Sequence, residues 1–450
     1  MTTSPIAAII LAAGKGTRMK SDLHKVLHPI AGQPMLMHLL ASVDALAPAK
    51  KVVVVGSGRD QLEAALGGTA DLAVQEPQLG TGHAVQQAEG ALAGFDGDVL
   101  ILYGDVPLVR TETMQRMLDR LHAPDAPAIV VLGFEPDDTL RYGRVIAEGD
   151  RIVKMVEHKD ATDAERAVQL CNSGLMAARS ADLFALLARV GNANAAGEYY
   201  LVDIVNIAND DGRMSAVVTT DPFEVAGVNS RAELAALEGA WQARRRAEAM
   251  ADGVTLIAPE TVWFAFDTQL GRDVTIEPNV FFGPGVSVAD KVTIRANCHI
   301  EGTVIGTACE VGPFARLRPG TVLGEKAKIG NFVETKKAVL GAGAKANHLT
   351  YLGDAEVGAK ANVGAGTITC NYDGFFKYKT VIGDGAFIGS NSALVAPVMI
   401  GAGAIVGAGS VVTADVETDA LALARGTQAA KPGWAKRFRE LMTAKKASQK

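Results

Sequence analysis

From residue 276 onward the chain repeats itself every six residues, a period that neither an α-helix nor an ordinary half-buried strand produces. Between Ile276 and Val412 there are 22 such positions. Seventeen of the 21 spacings are six residues, three are five, and one, from Val363 to Ile382, is 19. Twenty of the 22 positions are bulky and apolar, and the next residue is glycine at 13 of them, where a sharp bend needs no Cβ. A corner that recurs every six residues coils short strands into a triangular prism, with the aliphatic positions stacked inside. The expected fold is a parallel β-helix of the solenoid kind.

Two departures mark places to look for chemistry, because the rules of a fold are broken most readily where function sits. The long spacing leaves residues 369–381 as a protruding loop rich in aromatics (Tyr372, Phe375, Phe376, Tyr378). A polar or small residue also replaces the aliphatic at Thr335 and Ala346, beside Lys336 and Asn347-His348.

Ahead of the repeats, up to about residue 229, β-branched runs at 7–11, 52–55, 99–103 and 129–133 alternate with amphipathic helical stretches, the pattern of an α/β domain on a mainly parallel sheet. Ser230 and Glu233 form a capping box, followed by Leu234, Leu237 and Trp241 on one helical face. The expected organisation is therefore residues 1–229, a linker helix over 230–250 and a second domain over 251–450. The basic run 244–246 reads as a solvated face, with a phosphate contact as the alternative.

Composition narrows the function. With 44 Lys and Arg against 50 Asp and Glu the net charge is −6, so no basic excess is available to wrap nucleic acid. The apolar run 6–13 is too short to span a bilayer and lacks the features of a secretory signal, so a cytoplasmic protein without membrane insertion is expected. Cys171, Cys298, Cys309 and Cys370 form no C-x-x-C pair and read as free thiols.

The string Leu11-Ala12-Ala13-Gly14-Lys15-Gly16-Thr17-Arg18-Met19 follows a strand and leads toward a helix, where backbone amides can ring phosphate oxygens. It matches neither the P-loop nor the G-x-G-x-x-G pattern. Tyr103-Gly104-Asp105 ends a strand at the carboxyl edge of the sheet, where open α/β sheets bind ligands; Asp105 could cap a helix or hold Mg²⁺. With Lys25, the first string resembles the signature of the nucleoside-diphosphate-sugar pyrophosphorylases. Further strings agree in order: Gln75 to Ala84 (QEPQLGTGHA), Tyr142-Gly143-Arg144, Val156-Glu157-His158-Lys159-Asp160, Asn172-Ser173-Gly174, Gly197-Glu198-Tyr199-Tyr200 and Gly227-Val228-Asn229. Ahead of hexapeptide repeats they resemble the family of bifunctional enzymes that join N-acetylglucosamine-1-phosphate uridyltransferase and glucosamine-1-phosphate N-acetyltransferase in one chain.

That resemblance implies a Rossmann-like nucleotidyltransferase domain followed by a left-handed parallel β-helix. It implies that Leu11, Ala12, Ala13, Gly14, Gln75, Gly80 and Thr81 hold the uridine nucleotide with Tyr103 and Gly104 close by, and that Arg18 and Lys25 stabilise charge during phosphoryl transfer. Asp105 and Asn229 would bind Mg²⁺, and Gly143, Glu157 and Asn172 the N-acetyl sugar. His24 departs from the family, which has proline there, and so removes a φ constraint from the loop before Lys25.

For the second reaction, acetyl transfer to an amine needs a proton acceptor, and histidine is the side chain poised for it. The repeat half has two, His299, mid-repeat without polar company, and His348 at the broken repeat. The resemblance selects His348 as the base. It further implies that Arg318 and Lys336 bind the sugar phosphate, and that Glu334 orients His348 or receives the amine. Tyr351, Asn362, Asn371 and Tyr372 would complete the sugar and acetyl sites, while Ala365, Ser390, Ala408 and Arg425 line an acetyl-CoA groove. A homotrimer with small-molecule substrates is implied, the loop 369–381 reaching a neighbouring prism; the basic tail after Lys431 reads as a frayed terminus. The alternatives are a single-activity sugar nucleotidyltransferase whose β-helix only oligomerises, and a non-catalytic scaffold or sensor.

Overall fold

The structure is a computed structural model that describes residues 4–14, 16–139 and 141–449; Lys15, inside the glycine-rich string, lies outside them. The chain divides into two compact units, Met1–Arg245 and Arg246–Lys450.

The first unit is built on a sheet with strand order Asp71–Val74, Lys50–Val55, Ile6–Ala12, Asp98–Tyr103, Cys171–Arg179, Ile129–Phe134, Ser215–Thr220, Arg151–Val156, Arg144–Glu148. Ile6–Ala12 pairs in parallel with Lys50–Val55 and Asp98–Tyr103. Its side chains enter two cores in alternation, Ala7, Ile9 and Leu11 on one face and Ala8, Ile10 and Ala12 on the other. Burial on both faces explains why the strand is a continuous apolar run without period-two alternation. Beyond Asp98–Tyr103 the sheet is mixed and not mainly parallel. Cys171–Arg179 inserts antiparallel between Asp98–Tyr103 and Ile129–Phe134, and Arg144–Glu148 and Arg151–Val156 form an antiparallel hairpin. A hairpin needs only a short turn, whereas a parallel pair needs a long crossover; strand composition alone carries no direction.

The helix Arg231–Ala251 starts with the expected capping box: Glu233 N–H donates to Ser230 Oγ at 3.3 Å, and the Glu233 carboxylate accepts the Ser230 and Asn229 amides at 3.0 and 2.6 Å. Leu237 packs with Met19, Ile30, Met35 and Val228, with Leu234 and Trp241 beside them. Arg231 Nε donates to the Met19 carbonyl at 3.2 Å, and Glu238 accepts the Ala31 amide at 2.7 Å. These contacts carry the first unit past residue 229, the point at which the sequence divides it, to Arg245. Two of the arginines read as a solvated face are structural: the Arg244 guanidinium lies 4.9 Å from the centre of the Phe223 ring, and Arg246 Nη1 donates to the Val262 carbonyl at 3.1 Å.

In the second unit all 22 repeat positions are buried. Most strands pair in parallel with one 17 or 18 residues on, Ile276 with Ile294, Ile294 with Val311, Leu317 with Thr335 and Thr335 with Leu352, and across the protruding loop the offset grows to 25, as for Asn362 and Phe387. Three hexads therefore make one coil of the β-helix. Thr335 points inward, where its hydroxyl meets that of Thr321 at 2.9 Å, and Ala346 is fully buried. The broken repeats thus alter core packing, and it is their outward-facing neighbours that are free for chemistry. His299 stacks on Phe281 at 4.9 Å, a structural place. The protruding loop is shorter than expected, because Thr369 and Thr380 stay buried in strands Ile368–Cys370 and Thr380–Ile382. Between them the Asp373 carboxylate accepts the Phe375 and Phe376 amides at 2.8 and 2.7 Å, and the Phe375 side chain is 86% exposed.

Candidate active sites

At the carboxyl edge of the first unit's sheet, Gly104 N–H donates to the Leu11 carbonyl at 3.0 Å, so the ends of two central strands lie side by side. A cavity of about 400 Å³ opens there, lined by Leu11, Ala12, Ala13, Gly14, Lys25, Gln75, Gly80, Thr81, Tyr103 and Asp105. Most residues expected to hold the nucleotide thus surround one space. A second cavity of about 200 Å³ shares Thr81 and Tyr103 with it and is lined by Gly143, Glu157 and Asn172, the residues expected to hold the sugar. The string after Gly14 does not lead into an α-helix. Gly16 (φ 57°) and Lys20 (φ 48°) are left-handed and confine Thr17–Met19 to one tight turn, with Arg18 exposed upon it. Gly16 also gives way to Lys25, whose Cβ would lie 2.7 Å from a Cβ placed on the glycine.

The Lys25 ammonium is the focus of the larger cavity. It donates to the Asp105 carboxylate, and to Asn229 Oδ1 at 3.1 Å. Asn229 arrives because Val228 N–H donates to the Asp105 carbonyl at 3.0 Å. Two hard oxygen donors therefore converge on a single cationic point at the mouth of a cavity, which suits Mg²⁺, a hard cation that takes one or two protein oxygens and fills its shell with phosphate and water. No group of three or more His, Cys, Asp or Glu among the described residues offers a fuller metal cage.

His24 does not slacken this loop. Its φ of −56° is one proline would adopt, and its N–H, which proline would lack, donates to Gln61 Oε1 at 2.8 Å. Burial first, then the Lys25 and His28 charges, hold its imidazole below the ordinary range. In the smaller cavity burial, reinforced by Asp160, Asp203 and Glu198, pushes the Glu157 carboxyl up. Burial likewise pushes the Tyr103 phenol up, with Glu157 and Asp105 adding to it.

Several contributors stand within the strings that carry the resemblance but have no expected role of their own. Gln78 donates to the Ala13 carbonyl and lines the larger cavity with Glu198. Arg144, 2% exposed, holds carbonyls rather than a carboxylate: Nε donates to Arg166 O at 3.2 Å, Nη1 to Tyr142 O and Nη2 to Thr139 Oγ1 at 2.8 Å. It thereby fixes the loop whose Gly143 lines the smaller cavity. A buried cation without a counter-ion is costly unless it holds something in place.

On the β-helix the expected residues form ladders. Arg316, Glu334, Tyr351 and Ile368 stand in register on successive coils, and Asn331 stands in register with His348 one coil on. Arg318 Nη1 donates to Glu334 Oε1 at 2.8 Å, so Glu334 orients Arg318 and not His348. The ring of His348, exposed, is bonded at Nδ1 to Asn331 Oδ1 at 2.7 Å. Lys377, on the protruding loop, lies against Lys336; that contact, with Arg318 adding, lowers the Lys336 ammonium's pKa. Three cations crowded together make a place for a phosphate. Asn371 donates from Nδ2 to Asp354 Oδ2 at 2.6 Å, in space kept open by Gly353, where a Cβ would meet the Tyr351 hydroxyl at 2.4 Å. Tyr372 follows Asn371 with its hydroxyl donating to the Gly374 carbonyl. Asn362 stands apart, in register with Lys345.

The residues expected to meet acetyl-CoA climb one corner of the prism. Asn391 N–H donates to Ala365 O at 2.7 Å, Gly409 N–H to Ser390 O at 2.8 Å, and Arg425 Nη1 to Ala408 O at 2.6 Å. Ala365, Ser390, Ala408 and Arg425 are thus linked from coil to coil.

Comparison with known proteins agrees with both halves. Residues 8–251 match the model of the MobA-like NTP transferase domain, and residues 379–414 that of the bacterial transferase hexapeptide, six repeats. The chain is 77% identical to the Bifunctional protein GlmU of Sphingopyxis alaskensis over 446 residues, 99% of each chain. It is 72% identical to that of Novosphingobium aromaticivorans over 448 residues, again 99% of each, and 58% identical to that of Zymomonas mobilis over 441 residues, 97% of this chain and 98% of the other. The chain therefore belongs to the GlmU family of bifunctional enzymes, its α/β unit a uridyltransferase and its left-handed β-helix an N-acetyltransferase.

Proposed function

We propose that the two sites described above carry out the two halves of UDP-N-acetylglucosamine formation, the β-helix making N-acetylglucosamine-1-phosphate and the cavities of the α/β unit converting it with UTP. The observation that carries the nucleotide site is the Lys25 ammonium, held between Asp105 and Asn229 at the mouth of the cavity. In this reading the uridine nucleotide occupies the larger cavity against Leu11 to Gly14, Gln75, Gly80 and Thr81, and the sugar the smaller one against Gly143, Glu157 and Asn172. A phosphate oxygen of the sugar attacks the α-phosphorus of UTP, and pyrophosphate leaves. Lys25 and the exposed Arg18 offset the charge that develops on the transferring phosphoryl group. Asp105 and Asn229 would hold Mg²⁺, which when bound neutralises charge on the nucleotide phosphates.

On the β-helix, Arg318, Lys336 and Lys377 would bind the phosphate of glucosamine-1-phosphate, with His348 taking the amine's proton as the nitrogen attacks the thioester carbonyl. The C–S bond breaks and coenzyme A leaves from the groove at Ala365, Ser390, Ala408 and Arg425. The exposure of His348 favours a homotrimer, in which a neighbouring prism completes the site. So do the half-exposed Phe314 and Phe332, stacked at 5.2 Å on the surface. The four unpaired cysteines fit a reducing cytoplasm, and no helix among the described residues is long and apolar enough to cross a membrane. A purely oligomerising β-helix gives no reason for three cations to crowd beside His348's coil.

The test follows coenzyme A and pyrophosphate release together from glucosamine-1-phosphate, acetyl-CoA, UTP and Mg²⁺. Arg18→Ala and Asp105→Ala are each expected to lower pyrophosphate release by about 10²–10³ with coenzyme A release unchanged. Pyrophosphate release close to wild type in either variant, under saturating substrate, refutes the nucleotide-site assignment.

A further inference from the structure

We infer that Asn331 is the positioning residue of the acetyl-transfer site, holding His348 in the tautomer whose Nε2 faces the substrate amine. This rests on His348 being the base.

The geometry comes from the coil. Asn331 and His348 are 17 residues apart, one turn of the prism, and their strands, Lys328–Leu340 and Lys345–Val357, are in register. Their side chains therefore leave the same face, one above the other, and Asn331 Oδ1 meets His348 Nδ1 at 2.7 Å. A carbonyl oxygen only accepts, so the proton sits on Nδ1 and the lone pair on Nε2. Without that bond the neutral ring would divide between two tautomers, one of which cannot accept a proton at Nε2.

The carboxylates that could do the same are engaged elsewhere. Glu334 accepts from Arg318, Asp354 from Asn371 and Glu356 from Lys379. The remaining charged and titratable groups on the strands packed here are Lys328, Lys336 and Lys337 below, Lys345 and Tyr351 on His348's own strand, and Cys370 above. None offers the ring a carboxylate. From the next coil Gly366 N–H donates to the His348 carbonyl at 3.3 Å, which fixes the backbone and leaves the ring to Asn331. An amide in place of a carboxylate orients the ring without a full negative charge to hold a proton on it.

The role has a signature that plain packing lacks. Asn331 is half-exposed, so Asn331→Leu leaves the fold intact, which is checked by sedimentation and by uridylyl transfer on the same preparation. Asn331→Leu is expected to lower kcat for coenzyme A release by roughly tenfold or more, with KM for glucosamine-1-phosphate and acetyl-CoA little changed. Asn331→Asp keeps the acceptor and is expected to recover much of that rate, while its negative charge favours imidazolium and moves the acid limb of the pH profile to higher pH. His348→Ala, run alongside, is expected to lose acetyl transfer. If His348→Ala loses activity while Asn331→Leu keeps its kcat and Asn331→Asp its pH limb, the positioning role is overturned and the base assignment stands. If His348→Ala keeps acetyl transfer, the base assignment itself falls.

Discussion

The two sites are built by opposite routes. In the α/β unit, groups distant in sequence are brought together at the carboxyl ends of strands. Lys25 and Asn229 meet although they are 204 positions apart, and Lys25 lines a cavity there. In the β-helix, groups one coil apart stack by register alone, as Asn331 and His348 do at 17 positions, and they stand on an open face. A cavity site depends on every element that closes it, whereas a ladder site depends on the coils immediately above and below. Substitutions and truncations should therefore spread further in the first unit than in the second.

The largest consequence concerns the helix Arg231–Ala251. Leu237 is buried on Met19 and Ile30, beneath the turn that carries Arg18, a contact contributing about 2 kcal/mol. Arg231 and Glu238 also bond to Met19 and Ala31. A fragment of residues 1–229 is therefore expected to lose nearly all uridylyl transfer, while residues 1–251 keep it. Pyrophosphate release by the two fragments, with circular dichroism to check folding, decides it. Equal activity would show that the helix is a linker only and that the cavity closes without it.

A smaller effect separates the units by pH. Glu157 and Asp203 hold their protons to higher pH folded than unfolded, burial being the main cause in each and Asp160 adding to both. These two groups then bind more protons folded than unfolded, so their contribution to stability is full in acid and falls as pH rises past the ordinary carboxyl value through the raised one, whereas His24, His28 and His38, held low chiefly by burial, contribute in the opposite sense. The carboxyls' share of the α/β unit's melting temperature should decline across that window by a few degrees, at about 2–4 °C per kcal/mol for a unit this size. Glu157→Gln should flatten the decline. An unchanged slope in that variant would remove Glu157 as its source.

How much was legible in advance follows the same division. Six-residue periodicity dictates the β-helix because each inward position must be filled and each corner turned, and all the repeat positions are indeed buried. The same regularity held one further signal: counting 17 residues back from His348 leads to Asn331. Spacing within a strand says nothing of which neighbour a long side chain takes, and here Glu334 takes Arg318 rather than His348, which leaves receipt of the amine as its other expected role. In the α/β unit the strand ends mark the larger cavity, but Arg144, Gln78 and Glu198 act through loops whose meeting is tertiary. Strand direction was hidden for a like reason, since an apolar run buried on both faces reads the same whichever way it points.

In the proposed function two self-contained sites share one chain and pass a free intermediate, N-acetylglucosamine-1-phosphate. Asp105→Ala and His348→Ala disable one site each, so neither variant alone should convert glucosamine-1-phosphate, acetyl-CoA and UTP to UDP-N-acetylglucosamine. The decisive experiment mixes the two purified proteins and measures product. The mixture should form UDP-N-acetylglucosamine after a lag in which the intermediate accumulates. A mixture that stays inactive, although each variant retains its one remaining activity when assayed singly, would contradict independent sites joined by a diffusing intermediate.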